Sequence, residues 1–215
     1  MHTRKRWWFG LAVALGAVLA LTFTTPAWAN RYAGNYRNPA YGVKADITTP
    51  STQPTLTSGV IYNWAGNDDS GNWLQCGWAK GDGATYAPDW QLWPTTPTSY
   101  EECQIGSAYS LYLYSSQALN FTRTYEVVSI GSSLWQGIIA GTRRYSFGPF
   151  NTPTQVEVFA EISGSSANHT WASFNNVQYK GQVSYMPFDQ NHERHDDPPY
   201  ASFTSYSKYT CYNGM

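Results

Sequence analysis

The chain has 215 residues, with 13 Lys and Arg against 14 Asp and Glu and a formal net charge of −1. Charged residues make up only 13% of it, which leaves no basic surface for nucleic acid or an anionic membrane. Phe, Trp and Tyr make up 17%, and aromatics in that excess point to sheet faces, either packed in a core or offered to a ligand.

Residues 1–29 read as a cleavable export signal. Arg4, Lys5 and Arg6 form a basic head, residues 7–21 are apolar, and Ala27-Trp28-Ala29 carries the small residues that a signal peptidase accepts. The apolar run is about 15 residues, short of the roughly 20 that a bilayer-spanning helix needs. Secretion, with cleavage after Ala29, is therefore expected. The signal takes three of the 13 basic residues, leaving 10 against 14 acidic ones, and roughly 185 residues remain, enough for one domain with a sizeable core.

Residues 30–41 are rich in Asn, Arg, Tyr, Gly and Pro without periodicity, so a loose leader is expected there. Residues 42–182 form the domain. Short runs rich in Val, Ile, Thr, Tyr and Trp fall at 42–48, 59–65, 72–78, 90–93, 107–114, 123–130, 135–140, 154–162 and 171–179, with Gly, Pro, Asn, Asp or Ser clustered between them. No window beyond the signal carries a 3.6-residue apolar stripe. Many short strands at near-regular spacing predict an all-β, antiparallel sandwich or barrel. Glu101-Glu102 reads as a surface turn. Residues 183–215 read as a loop-rich tail, and His192, His195, Asp196 and Asp197 lack metal-site spacing, so they are expected to be solvated.

Cys76, Cys103 and Cys211 are an odd number for an oxidising compartment. One disulfide and one free thiol are expected, with Cys76–Cys103 the favoured pair because both fall among the ordered strands.

Two strands carry candidate chemistry. Alternation puts Trp73, Gln75 and Gly77 on one face of the strand that starts at Asn72, with Leu74, Cys76 and Trp78 on the core face. In 154–162 the same rule groups Glu157, Phe159 and Glu161 opposite Val156, Val158 and Ala160. An amide beside an aromatic, and two carboxylates, thus face away from the aliphatic core.

The order of motifs resembles that of the glutamic peptidases of the eqolisin family. The motifs are Ala45-Asp46-Ile47-Thr48-Thr49-Pro50, Trp64-Ala65-Gly66, Gln75-Cys76-Gly77 and Trp90-Gln91-Leu92-Trp93-Pro94. After these come Glu157 and Glu161 four apart, then Phe174-Asn175-Asn176-Val177. The resemblance spans residues 42–180, and Gln75-Cys76-Gly77-Trp78 with Phe174-Asn175-Asn176-Val177-Gln178-Tyr179 is also similar to bacterial secreted relatives of that fold. It implies a concanavalin-like two-sheet sandwich, or jelly roll, and a monomeric endopeptidase acting on unfolded protein or peptide at acid pH. It places the catalytic pair on Gln75 and Glu161 and Trp64 in the substrate cleft, with no cofactor or metal; Trp73 and Glu157, on the same strand faces as that pair, are the further candidates for substrate contact. A carboxylate takes a proton from the attacking water and returns it to the leaving amine, while a neutral amide donates to the developing oxyanion.

The alternative is a non-catalytic sandwich module that binds polysaccharide or another surface polymer through exposed Trp and Tyr. A glycoside hydrolase needs two carboxyls about 5 to 9.5 Å apart. Glu157 and Glu161, four strand residues apart at roughly 3.3 Å each, are too far apart for that.

Overall fold

The computed structural model describes residues 31–50, 60–81, 100–106, 110–116, 120–163, 172–189, 193–195 and 200–212. The signal segment, the Trp90 to Trp93 run and His192 lie outside them. The described residues form strands and turns with no α-helix, and no helix among them is long and apolar enough to cross a membrane.

Two antiparallel sheets stack face to face. The first runs β13 (Glu193–His195), β1 (Arg31–Ala40), β10 (Thr154–Ser163), β3 (Val60–Asp69), β4 (Asn72–Gly81), β5 (Tyr100–Ile105) and β6 (Ser110–Ser116). The second runs β14 (Tyr200–Ser205), β15 (Lys208–Tyr212), β11 (Ala172–Lys180), β2 (Gly42–Thr48), β7 (Thr122–Gly131), β8 (Leu134–Ile139) and β9 (Thr142–Phe147). The short β12 (Tyr185–Pro187) pairs with β11. Of the sandwich or barrel that the strand pattern predicted, this is the sandwich, with the jelly-roll form that the resemblance implied.

Alternation builds the core. Val43, Ala45 and Ile47 of β2 are fully buried, as are Val156, Val158, Ala160 and Ile162 of β10, and they belong to one cluster with residues of both sheets. In β11 the register shifts between Asn175 and Gln178, and Asn176 has φ 50°. This bulge lets Phe174 and Val177 both point inward although they are three residues apart. Buried polar ties join the sheets, two of them through tyrosine hydroxyls. The Tyr209 hydroxyl donates to the Val158 carbonyl (2.6 Å), and the Tyr125 hydroxyl donates to Glu101 Oε1 (2.6 Å).

Cys76 and Cys103 are directly opposed on β4 and β5 and form the expected disulfide, while Cys211 is a free, buried thiol. The disulfide faces Gly137 of β8. A Cβ there would lie 2.2 Å from Cys76 Sγ, so only glycine lets the two sheets close over the sulfurs.

Three expectations need correction. Residues 31–40 are not a loose leader but β1, hydrogen-bonded between β10 and β13, with Ala33 and Asn35 fully buried. Main-chain pairing to β10 supplies the order that its loop-like composition hides. The tail beyond 183 contains β12 to β15, and Tyr209 and Cys211 alternate into the core. Glu101 and Glu102 are not a turn. They lie in β5 and are 0% and 2% exposed, with Glu101 paired to Arg123 at 3.0 Å.

Candidate active site

The β3–β4 hairpin sets the frame. Its loop is two residues, Ser70 and Gly71, with φ of 52° and 99°, the positive pair that a tight hairpin turn requires. The turn pairs Gly66 with Gln75 and Trp64 with Gly77. On the other side β3 pairs with β10, so Trp64 opposes Phe159, Gly66 opposes Glu157, and Tyr62 opposes Glu161. Then β1 adds Tyr32 beside Glu161, Gly34 beside Phe159, and Tyr36 beside Glu157.

Three cross-strand rows therefore cover the outer face of the first sheet. The first is Tyr32, Glu161, Tyr62 and Ala79. The second is Gly34, Phe159, Trp64, Gly77 and Glu102, and the third is Tyr36, Glu157, Gly66, Gln75 and Gln104. In the middle row two aromatics sit between two glycines. A Cβ on Gly34 would lie 2.5 Å from the Phe159 ring, and one on Gly77 would lie 2.7 Å from Trp64 Cα and Cβ. Trp64 and Phe159 pack edge to face at 5.6 Å, and with Tyr62 and Ala79 they form a second small hydrophobic cluster on this outer face.

Glu161 and Gln75 stand at opposite corners of this patch with Trp64 between them. The carboxylate in the same row as Gln75 is Glu157. Both corners nevertheless line one cavity of about 320 Å³, together with Tyr32, Tyr62, Trp64, Trp73 and Glu157. All five residues singled out in the sequence meet there. A second cavity, of about 590 Å³, adjoins it at Asp68 and is lined by Asp69, Asn151 and Gln155.

Glu161 is only 6% exposed. Burial pushes its carboxyl up to about 7, and Glu157 and Glu102 add to the rise. Hydrogen bonds from Trp64 and Tyr32 oppose it. The Trp64 indole Nε1 donates to Glu161 Oε2 at 3.0 Å. Gln75, 8% exposed, donates from Nε2 to Gln104 Oε1 at 3.2 Å. That bond uses one N–H and leaves the other available to a ligand. Glu157 accepts a hydrogen bond from Gln155.

Among the described residues, no Ser, Cys, Thr or Lys lines the smaller cavity. Its chemistry is that of a carboxyl titrating near neutrality and an amide donor, a pair suited to activating water rather than to forming a covalent adduct. Sequence reasoning missed Tyr32, which lies in the expected leader, and Gln104, which falls between the predicted strand runs and lies in β5. The alternation of Tyr32, Gly34 and Tyr36 was the available signal for the first.

No family model matches the chain, and no curated protein matches it. Solved structures do. It is similar to scytalido-glutamic peptidase with a peptide-based transition state analog, at 13% identity and a TM-score of 0.62, covering 86% of this chain and 98% of that one. The same peptidase with a transition state analog inhibitor gives 13%, 0.59, 87% and 98%. SCP-B, a member of the eqolisin family of peptidases in complex with the tripeptide Ala-Ile-His, gives 12%, 0.56, 86% and 98%. At this level of identity the likeness is one of architecture. The chain has the fold of the eqolisin glutamic peptidases.

Proposed function

We propose that this chain is a secreted endopeptidase that hydrolyses peptide bonds with Glu161 and Gln75. The observation that carries the reading is that both side chains, on strands separated by β3, line one cavity on a face away from the core. The ionised Glu161 carboxylate takes a proton from a water whose oxygen attacks the scissile carbonyl carbon. The carbonyl oxygen becomes an oxyanion and accepts the remaining Gln75 N–H. As the C–N bond breaks, Glu161 returns the proton to the leaving amine. Trp64 fixes the carboxylate, and Trp73 and Glu157 border the bound chain.

With its carboxyl near 7, Glu161 is mostly protonated at strongly acid pH. The carboxylate needed as base accumulates as pH rises through about 7, so activity should climb across the acid range and level off above neutrality. The polymer-binding reading draws on half-buried Trp73 and the tyrosines around the cavity. Incubation with denatured casein between pH 2 and 8 separates the two. Cleavage that survives pepstatin, chelators and serine or cysteine reagents and is lost in Glu161→Gln supports the peptidase. No cleavage at any pH, with retention on a polysaccharide column, supports the binding module.

A further inference from the structure

We propose that Tyr32, on the first strand of the described chain, is a positioning residue that holds the Glu161 carboxylate towards the cavity through its hydroxyl. The inference rests on the reading of Glu161 as the proton acceptor and adds to it a residue from a segment that carries none of the motifs.

The geometry has three parts. First, β1 pairs with β10 so that Tyr32 is directly opposite Glu161, the closest cross-strand relationship that a sheet offers. Second, the Tyr32 side chain hydrogen-bonds Glu161 and lines the same cavity. Third, its ring packs on Phe159 at 5.9 Å, and Phe159 packs on Trp64. One aromatic chain therefore carries both donors to the carboxylate, Trp64 from one flank and Tyr32 from the other. A carboxylate gripped from two neighbouring strands has little rotamer freedom, which is what a base aimed at a single water requires.

Several titratable groups surround Glu161. Tyr62 opposes it from β3. Glu157 on its own strand and Glu102 on β5 both disfavour ionisation. Against those carboxylates and the burial, the Tyr32 and Trp64 donors are the groups that favour the charged form.

The test is a titration of Glu161 by NMR, with 13C-labelled glutamate carboxyls, in the wild-type chain, Tyr32→Phe and Tyr32→Trp, alongside kcat/KM against pH on a peptide substrate. Tyr32→Phe keeps the ring on Phe159 and removes only the hydroxyl. Tyr32→Trp keeps an aromatic with an N–H donor, and serves if the first variant does not fold. The Glu161 midpoint should rise by about one pH unit in Tyr32→Phe and by less in Tyr32→Trp, and the acid limb of kcat/KM should move with it. An unchanged midpoint in both variants overturns the proposal, even if activity falls. A midpoint that moves in a protein that cleaves nothing upholds the positioning role and defeats the peptidase reading instead.

Discussion

The Trp64 indole donates to Glu161 Oε2 at 3.0 Å, and the two residues come from different rows of neighbouring strands. Trp64 opposes Phe159, and Glu161 opposes Tyr62, so the indole leans one step along the sheet to reach the carboxylate. Trp64→Phe keeps most of the packing and deletes the bond. The Glu161 carboxyl should then titrate above 7, and kcat/KM at pH 6 should fall about tenfold if the midpoint rises by about one unit. A pH–rate series on the variant checks both.

Glu161 also makes stability depend on pH. Its folded value is about 7 against a model value of 4.5, so the folded state holds the proton more tightly than the unfolded one. Stability from this group is full below about pH 4.5 and falls as pH rises to about 7, by an amount on the order of 3 kcal/mol. Urea unfolding midpoints measured from pH 4 to 8 should show the decline, and Glu161→Gln should flatten it.

The two carboxylates should separate kinetically. Glu161→Gln is expected to abolish casein cleavage. Glu157→Gln, whose carboxylate is engaged by Gln155, should lower kcat/KM only several-fold. Gln75→Ala should lower kcat by about 10²- to 10³-fold, the usual loss for an oxyanion donor. Initial rates on one fluorogenic peptide compare all three, and a larger loss in Glu157→Gln than in Glu161→Gln would reverse their roles.

Gly137 and the disulfide are coupled through space. Gly137→Ala should destabilise the protein by about 1–3 kcal/mol or more, because its Cβ meets Cys76 Sγ. Cys76→Ala with Cys103→Ala should cost about 3 kcal/mol. In the triple variant the alanine at 137 has the vacated sulfur positions to fill, so its added cost should shrink. Denaturant midpoints for the double-mutant cycle measure the difference.

Much of this arrangement was legible in the sequence. Val156, Val158 and Ala160 alternating with Glu157, Phe159 and Glu161 identify both the strand and its outward face, and the same period puts Gln75 outward beside buried Leu74 and Cys76. The diagonal placement of Gln75 and Glu161 was not legible, because register comes from the Ser70-Gly71 turn and from pairing across β3. Composition misled at β1, where Gly34, Asn35 and Pro39 look like loop but the main chain pairs with β10. It misled again at Glu101, an acid whose burial is offset by Arg123 and Tyr125. Partners distant in sequence made both, and no local pattern reports them.

The Ser70-Gly71 turn sits at an exposed tip, the kind of place where added residues are usually harmless. Here it acts as a reading frame for the site. Side chains in a strand switch faces at every residue, so one extra residue that slid β4 against β3 would send Gln75 into the sandwich and bring Leu74 or Cys76 out to the cavity. The strands would still pair and the chain could still be a sandwich, but the face beside Glu161 would have lost its amide. A single-codon insertion at this surface loop is thus the structural counterpart of a frameshift.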